Sequence, residues 1–475
     1  MSGTRPMGSV DRVWLEMDQP TNLMVIDSLM WFDDNVDWGR LTAVIQRRLV
    51  DRYPVFRQHP VESSTPLGST RWEDDPDFSI ERHLRRVELA PPGSDARLQQ
   101  YVELQMQRSL DRRHPLWEMH FLDGYLEGSA VLARFHHSLA DGIALAQVLL
   151  TLTDADPDAD LLDQGQLDPQ RGGWAQSTSQ RGGRLDPLRS TAAKAVGVTA
   201  ASARLAASLW SQLPRAITPA FTREALTVAA QTGHIADKLL LGANPESPLS
   251  GTPGVAKRAV WAQPRQIGDL KRIGQLAGAT VNDVLVGAVS GALGSYLVDH
   301  GAEPADLTAM IPVNLRPAGQ ALPRDLGNQF ALVMLPLPSG LRTPLHRLSE
   351  TKTRMDSIKR SPEAVMTFGL LSAIGWANTD IARLAIDFFA AKTIGVMTNV
   401  VGPLTSRFMA GSKIAGMLAW VPGSGAQTVG VCIVSYDRSV RVGFKVDACV
   451  VPDPDRLVDA FDDELDALLR IAAAA

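Results

Sequence analysis

The sequence predicts an α/β protein built as two α/β halves joined by a flexible linker and connector helices. Three observations carry this reading. A chain of 475 residues is too long for one hydrophobic core, which stops growing near roughly 250–300 residues. Helix-period and strand-period apolar patterns alternate in both the early and the late part of the chain. Between them lies a stretch too poor in apolar side chains to bury anything. The expected division is 1–153, 154–250 and 251–475.

Taken in order, Trp38 to Val50 reads as a helix, with Leu41, Val44, Ile45 and Leu49 near helical spacing. Ala96 to Leu110 reads as a second helix. Pro115 to His137 switches to strand, turn, strand, with Asp123-Gly124 and Glu127-Gly128 as turn signals. Gly142 to Leu152 returns to an apolar helix. Residues 154–190 run from an Asp-rich start into Gln, Gly, Ser and Arg, as a solvated linker would. Asp154, Asp156 and Asp158 imitate the start of a calcium loop, but Ala159 and Gly165 stand where Gly and Glu are required. Residues 191–240 read as connector helices that pack on the protein itself. In the last part, Gln266 to Ala277 and Val281 to Val298 are helices. Leu307 to Val313, Phe330 to Leu337, Ile394 to Val400 and Met417 to Val421 are strands. Val429 to Val446 is a hairpin turning at Tyr436-Asp437-Arg438-Ser439. The final helix opens at Asp453-Pro454 and buries Leu457, Phe461, Leu465 and Leu468.

Composition narrows the function classes. A formal net charge of −5 argues against nucleic acid as the main partner, because phosphate binding needs a basic surplus. Two cysteines, Cys432 and Cys449, exclude a disulfide framework and a four-cysteine zinc site. Residues 10–20 carry charges every few positions where a secretory signal would be apolar. The best candidate for a membrane span, residues 381–401, is broken by Arg383, Asp387 and Lys392. The expected location is the cytoplasm, with any membrane contact peripheral. Gly423-Ser424-Gly425 lacks the Lys-Ser/Thr of a P-loop, and no G-x-S-x-G elbow is present. Ile26-Asp27-Ser28-Leu29 reads as strand.

One segment carries chemistry: Arg134-Phe135-His136-His137-Ser138-Leu139-Ala140-Asp141-Gly142. A strand runs into two histidines, a bend, and a helix opening at Asp141-Gly142, residues that permit a sharp turn. Strand alternation puts His137 on the face of Phe135 and His136 on the face of Arg134. The two rings point opposite ways, so one serves a cleft and the other the structure. A histidine on a rigid strand end has the attributes of a general base. Adjacent histidines on opposite faces seldom share a metal, and no metal is expected.

His136-His137-Ser138-Leu139-Ala140-Asp141-Gly142 resembles the HHxxxDG motif of the chloramphenicol-acetyltransferase-like acyltransferase superfamily. Pro115-Leu116-Trp117 and Val281-Asn282-Asp283-Val284-Leu285 resemble the PLW and ND motifs of the bacterial wax ester synthase/diacylglycerol acyltransferase family. Pro312-Val313-Asn314-Leu315-Arg316, Leu326-Gly327-Asn328 and Asn399-Val400-Val401-Gly402-Pro403 resemble its later blocks. The match spans about residue 8 to residue 470 in the family's order.

The resemblance implies two chloramphenicol-acetyltransferase-like halves with mixed sheets, and acyl transfer from acyl-CoA to diacylglycerol or a long-chain alcohol. Acyl-CoA would be a co-substrate, with no cofactor. The implied partners are acyl-CoA and a lipid hydroxyl acceptor, with peripheral contact at a membrane or lipid inclusion. His137 would be the general base and Asn282, near a helix start, the oxyanion donor. The bland reading of Asn282 is a helix N-cap, and Asp283 complements the helix dipole. His136, Asp141 and Gly142 would support the site, Asp141 by pairing with Arg316 rather than His137. Pro115, Leu116, Trp117, Phe135, Asn399, Gly402 and Pro403 would shape the substrate channel. A condensation-type enzyme acting on carrier-bound acyl groups and a non-catalytic lipid-binding member of the fold are the alternatives.

Overall fold

The computed structural model describes residues 3–62, 70–160, 244–316, 321–360 and 390–474. The first lobe contains β1 (Thr4–Pro6), α1 (Ser9–Met17), β2 (Val25–Phe32), α2 (Trp38–Ile45), β3 (Gln58–Val61), β4 (Arg71–Asp74), α3 (Ile80–His83) and β5 (Leu84–Glu88). It continues with α4 (Asp95–Met106), β6 (Trp117–Tyr125), β7 (Gly128–His136), α5 (Gly142–Thr151) and β8 (Thr153–Asp154). After the undescribed stretch come β9 (Lys257–Trp261), β10 (Arg265–Gln266), α6 (Ile267–Ala277), α7 (Val281–Asp299), β11 (Leu307–Asn314), β12 (Phe330–Leu337) and α8 (Pro344–Arg360). The chain closes with β13 (Met397–Val401), β14 (Phe408–Met409), β15 (Ser412–Trp420), β16 (Val429–Tyr436), β17 (Ser439–Asp447) and α9 (Asp455–Ala474).

A seven-stranded mixed sheet in the order β5-β6-β7-β2-β15-β14-β8 forms the first lobe. A second mixed sheet, β10-β17-β16-β13 with β9 on β17, forms the second, and β11-β12 is a separate antiparallel pair. β16 is buried along its whole length, as its unbroken apolar run requires. The hairpin turns at Asp437 and Arg438, both at positive φ, the backbone a two-residue turn between twisted strands prefers.

Two late strands cross back over the expected division at 251. β15, late in the chain, joins the first lobe's sheet with Met417 opposite Met30 and Trp420 opposite Asp27. Its neighbour β14 pairs with β8. The linker expected from 154 therefore begins inside a strand, and Asp154 is held by the fully buried Arg48 at 3.0 Å. The rest of that linker beyond residue 160, and the connector helices, lie outside the described residues.

α7 is long and apolar enough to cross a membrane by length and composition, but 78% of its apolar window is buried inside the protein. It packs on α8 and α9, and such all-round apolarity marks a core helix.

Candidate functional site

β7 ends at His136 with His137 one residue beyond, where its N–H donates to Met24 O at 2.7 Å. The chain then bends through Leu139 N–H to His136 O, and Asp141 caps α5 by accepting from Ala144 N at 2.8 Å. The opposed histidines follow strand phase. His136 is buried: its Nδ1 accepts from Ser138 N at 3.1 Å, and its Nε2 lies 3.7 Å from the Asp18 carboxylate. His137 lines a large, mostly apolar cavity between the lobes, with about 1860 Å³ of empty space counting the part open to solvent. Its lining is apolar on both sides, the surface a long acyl chain requires. Ile26, Met30 and Leu149 line it from the first lobe, and Leu332, Met334 and Val400 from the second.

The His137 ring is only partly accessible. Trp14 stacks on it with centroids 4.2 Å apart, and Phe330 lies tilted at 5.6 Å. This enclosure pushes its pKa down to about 4: burial dominates, opposed by the Asp141 charge, the histidine's own backbone and Asn328, while the His136 charge adds to the lowering. Its Nδ1 lies 3.0 Å from Asn328 Oδ1. Asn328 in turn reaches Asp11 on α1.

Asp141 accepts from Arg316 and from Gln329 N at 3.0 Å. Arg316 also donates to Gly327 O, so it ties the α5 start to the segment before β12. The pair is nearly closed to water, with side-chain exposures of 4% for Asp141 and 10% for Arg316. Gly142 lines the cavity but its backbone does not require glycine: it is absent from the positive-φ residues, and an added Cβ would meet only Ile26 Cδ1 at 3.9 Å. Its smallness shapes the wall rather than the turn.

The remaining expected residues divide between the cavity wall and its surroundings. Phe135, Gly402 and Pro403 line the cavity; Pro115, Leu116, Trp117 and Asn399 do not. Trp117 is 1% exposed, donates to Phe56 O at 2.8 Å and stacks on His83. Leu116 O accepts from His136 N, so this segment backs the histidine strand instead of lining a channel. Asn399 is turned away by alternation, since its neighbours Thr398 and Val400 take the cavity side. It donates to Asn282 Oδ1 at 2.6 Å. Gly402 is fixed by close approach, because a Cβ there would lie 2.3 Å from Ser435 O.

Asn282 is not the cap of α7. Thr280 is, in a capping box with Asp283. Asn282 is the second residue of the helix and is not among the cavity-lining residues. Asp283 is fully buried and accepts from Thr280 N at 2.9 Å, with Lys359 3.9 Å from its other oxygen. Among the described residues no group of three His, Cys, Asp or Glu side chains could hold a metal.

Sequence reasoning missed α1, whose Asp11 and Trp14 both reach the site. Its charges at Asp11, Arg12 and Glu16 were the visible feature, yet Val10, Val13, Trp14 and Leu15 at helical spacing form its buried face.

A histidine on an HHxxxDG strand end, facing an apolar cavity between two lobes, defines an acyltransferase-type centre. Solved structures share the fold. One is a wax ester synthase/diacylglycerol acyltransferase from Marinobacter aquaeolei VT8, with TM-score 0.68, 19% identity, and 99% of this chain and 100% of that one covered. Another is the first condensation domain of the calcium-dependent antibiotic synthetase, with TM-score 0.56, 15% identity, and 99% and 97% covered. The wax ester synthase/diacylglycerol acyltransferase catalytic domain matches residues 7–285, and the C-terminal domain of the same family matches residues 326–469. The chain belongs to the wax ester synthase/diacylglycerol acyltransferase family. Its curated relatives include a Mycobacterium tuberculosis protein provisionally named a diacylglycerol O-acyltransferase, 26% identical over 98% of this chain and 90% of its own length. A Mycobacterium bovis protein of the same provisional name is 27% identical over 99% and 92%.

Proposed function

We propose that this protein moves a long-chain acyl group from acyl-CoA to the hydroxyl of diacylglycerol, a long-chain alcohol, or both, with His137 as general base. The observation that carries the reading is His137 on the wall of an apolar cavity between the lobes. In this mechanism the ring nitrogen not engaged by Asn328 takes the proton of the acceptor hydroxyl as its oxygen attacks the thioester carbonyl. The tetrahedral intermediate collapses, the C–S bond breaks, and the proton held on His137 goes to the departing CoA thiolate. No acyl-enzyme and no cofactor are needed, because a thioester is already activated. Asn282, outside the cavity lining and bonded through its Oδ1 to Asn399, is assigned to holding β13 against the start of α7. Asp141 and Arg316 pin the His137 loop to the second lobe. CoA and acceptor enter the cleft from opposite ends and meet at His137. Acceptor and product are water-insoluble, so the enzyme works at the cytoplasmic face of a membrane or at a lipid inclusion.

The test is labelled acyl-CoA offered with fatty alcohol, diacylglycerol, monoacylglycerol or an amine, with products resolved and free thiol measured. Ester products with thiol release only in the presence of a hydroxyl acceptor support the reading. Amide products, or binding without turnover, overturn it.

A further inference from the structure

Three chain segments far apart in sequence converge behind His137. Asn328, in the segment just before β12, makes four hydrogen bonds there. Its Oδ1 is 3.0 Å from His137 Nδ1. Its Nδ2 donates to His137 O at 2.9 Å and to Asp11 Oδ1 at 2.8 Å. Its backbone N–H donates to the same Asp11 oxygen at 2.9 Å. Asp11, on α1, is 5% exposed, and Asn328 is 7% exposed.

The orientation of the Asn328 amide follows from its partners. Burial pushes the Asp11 carboxyl up, but the His137 peptide oxygen can only accept, and Asp11 Oδ1 already accepts from the Asn328 backbone N–H, so the group facing them must be the NH2. Flipping the amide would set its oxygen against both of them and orphan two buried acceptors. Oδ1 therefore faces His137 Nδ1, and an amide oxygen can only accept. In neutral imidazole one nitrogen carries the hydrogen and the other the lone pair. The hydrogen must be on Nδ1.

We infer that Asp11 and Asn328 are positioning residues that hold neutral His137 in the Nδ1–H form and so make Nε2 its basic nitrogen. The role resembles a triad's third member in logic, with a neutral amide in contact with the ring and the carboxylate one step behind. α1 contributes twice. Asp11 and Trp14, three residues apart, share a helix face, and Trp14 stacks on the imidazole at 4.2 Å, opposing ring rotation. Asp141, the acid of the HHxxxDG motif, takes no part, because its oxygens are taken by Arg316, Gln329 N and Ala144 N.

This inference rests on His137 being the base, and its test separates the two. Nitrogen NMR of histidine-labelled full-length protein, with the His137 signals identified by their loss in His137→Gln, reads the tautomer without any turnover. Wild type should show the Nδ1–H form and Asn328→Leu should lose it; an Nε2–H signal in wild type overturns the inference. In acyl transfer, Asn328→Leu should lower kcat about 100-fold or more with the KM for acyl-CoA within about threefold. Asn328→Asp should also be impaired, since it sets two carboxylates side by side. The exchanged pair Asp11→Asn/Asn328→Asp restores one donor and one acceptor and should recover at least about tenfold over Asn328→Asp alone. Folded Asn328→Leu with wild-type kcat, or a folded exchanged pair no better than Asn328→Asp, overturns the inference. Wild-type protein without acyl transfer would instead sink the proposed function and leave the tautomer measurement to decide this one.

Discussion

Replacing Asp141 with Asn removes one charge from a pair that joins the two lobes directly beneath the histidine loop. Its energetics follow from its surroundings. Asp141 and Arg316 retain only 4% and 10% of their side-chain exposure, so solvent screening is weak. Removing one partner of a buried pair costs about 3–5 kcal/mol, because the other charge is left uncompensated. The introduced amide still offers an oxygen to Ala144 N, the α5 cap, and Arg316 still donates to Gly327 O. Both points favour the lower end, about 3 kcal/mol. Arg316→Met should cost about 2–3 kcal/mol, because Gln329 N and Ala144 N continue to support the carboxylate. The double variant should lose less than the two single losses added, with a coupling of about 2 kcal/mol. Denaturant midpoints at a shared slope measure all four corners, and initial rates per folded molecule measure the effect on the histidine loop. Singles within about 0.5 kcal/mol of wild type and strictly additive would refute the pair as a structural pin. A loss of turnover near 10⁴-fold at unchanged stability would point instead to a carboxylate–histidine dyad.

His137→Ala should lower turnover by about 10²–10⁴-fold while the protein still folds; a folded variant at wild-type rate would end the mechanism. Because the His137 pKa is pushed down to about 4 and the base must be neutral, kcat/KM should hold from neutrality into mild acid and fall with a midpoint near about 4. A midpoint at the ordinary 6.5 would show that the ring is not enclosed as described. The same shift makes the folded state bind fewer protons than the unfolded chain between about 6.5 and about 4, so stability should decline as pH drops through that window. Trp117→Ala should cost about 3–5 kcal/mol yet leave kcat per folded molecule and acyl-chain preference unchanged, measured with a chain-length series. Asn282→Ala, outside the cavity lining and bonded to Asn399, should leave kcat per folded molecule within about threefold of wild type; a loss of about 10²–10³-fold would make its amide the oxyanion donor.

Local periodicity determined most of the secondary structure: the hairpin around Asp437-Arg438, the apolar α7, and the last helix with Leu457, Phe461, Leu465 and Leu468 buried. Alternation along β7 was enough to separate His137 from His136, since a strand offers only two faces. The motif blocks, through their resemblance, brought together Asp141 and Arg316, which meet across 175 residues. What alternation and motif could not carry is which distant surfaces touch. β15 crosses into the first lobe because its backbone donors and acceptors complete the open edge of β2, a choice among edges that no local pattern encodes. Trp117 sits in the core rather than the channel because the face of β6 it occupies packs on Phe56 and His83. Thr280 takes the cap that Asn282 could have taken, two residues earlier in the chain. The environment of His137 belongs wholly to the tertiary structure. Asp11 and Asn328 stand 317 residues apart, each unremarked beside its own neighbours, and only packing α1 across the lobe junction makes their hydrogen bonds decide where the proton of His137 resides.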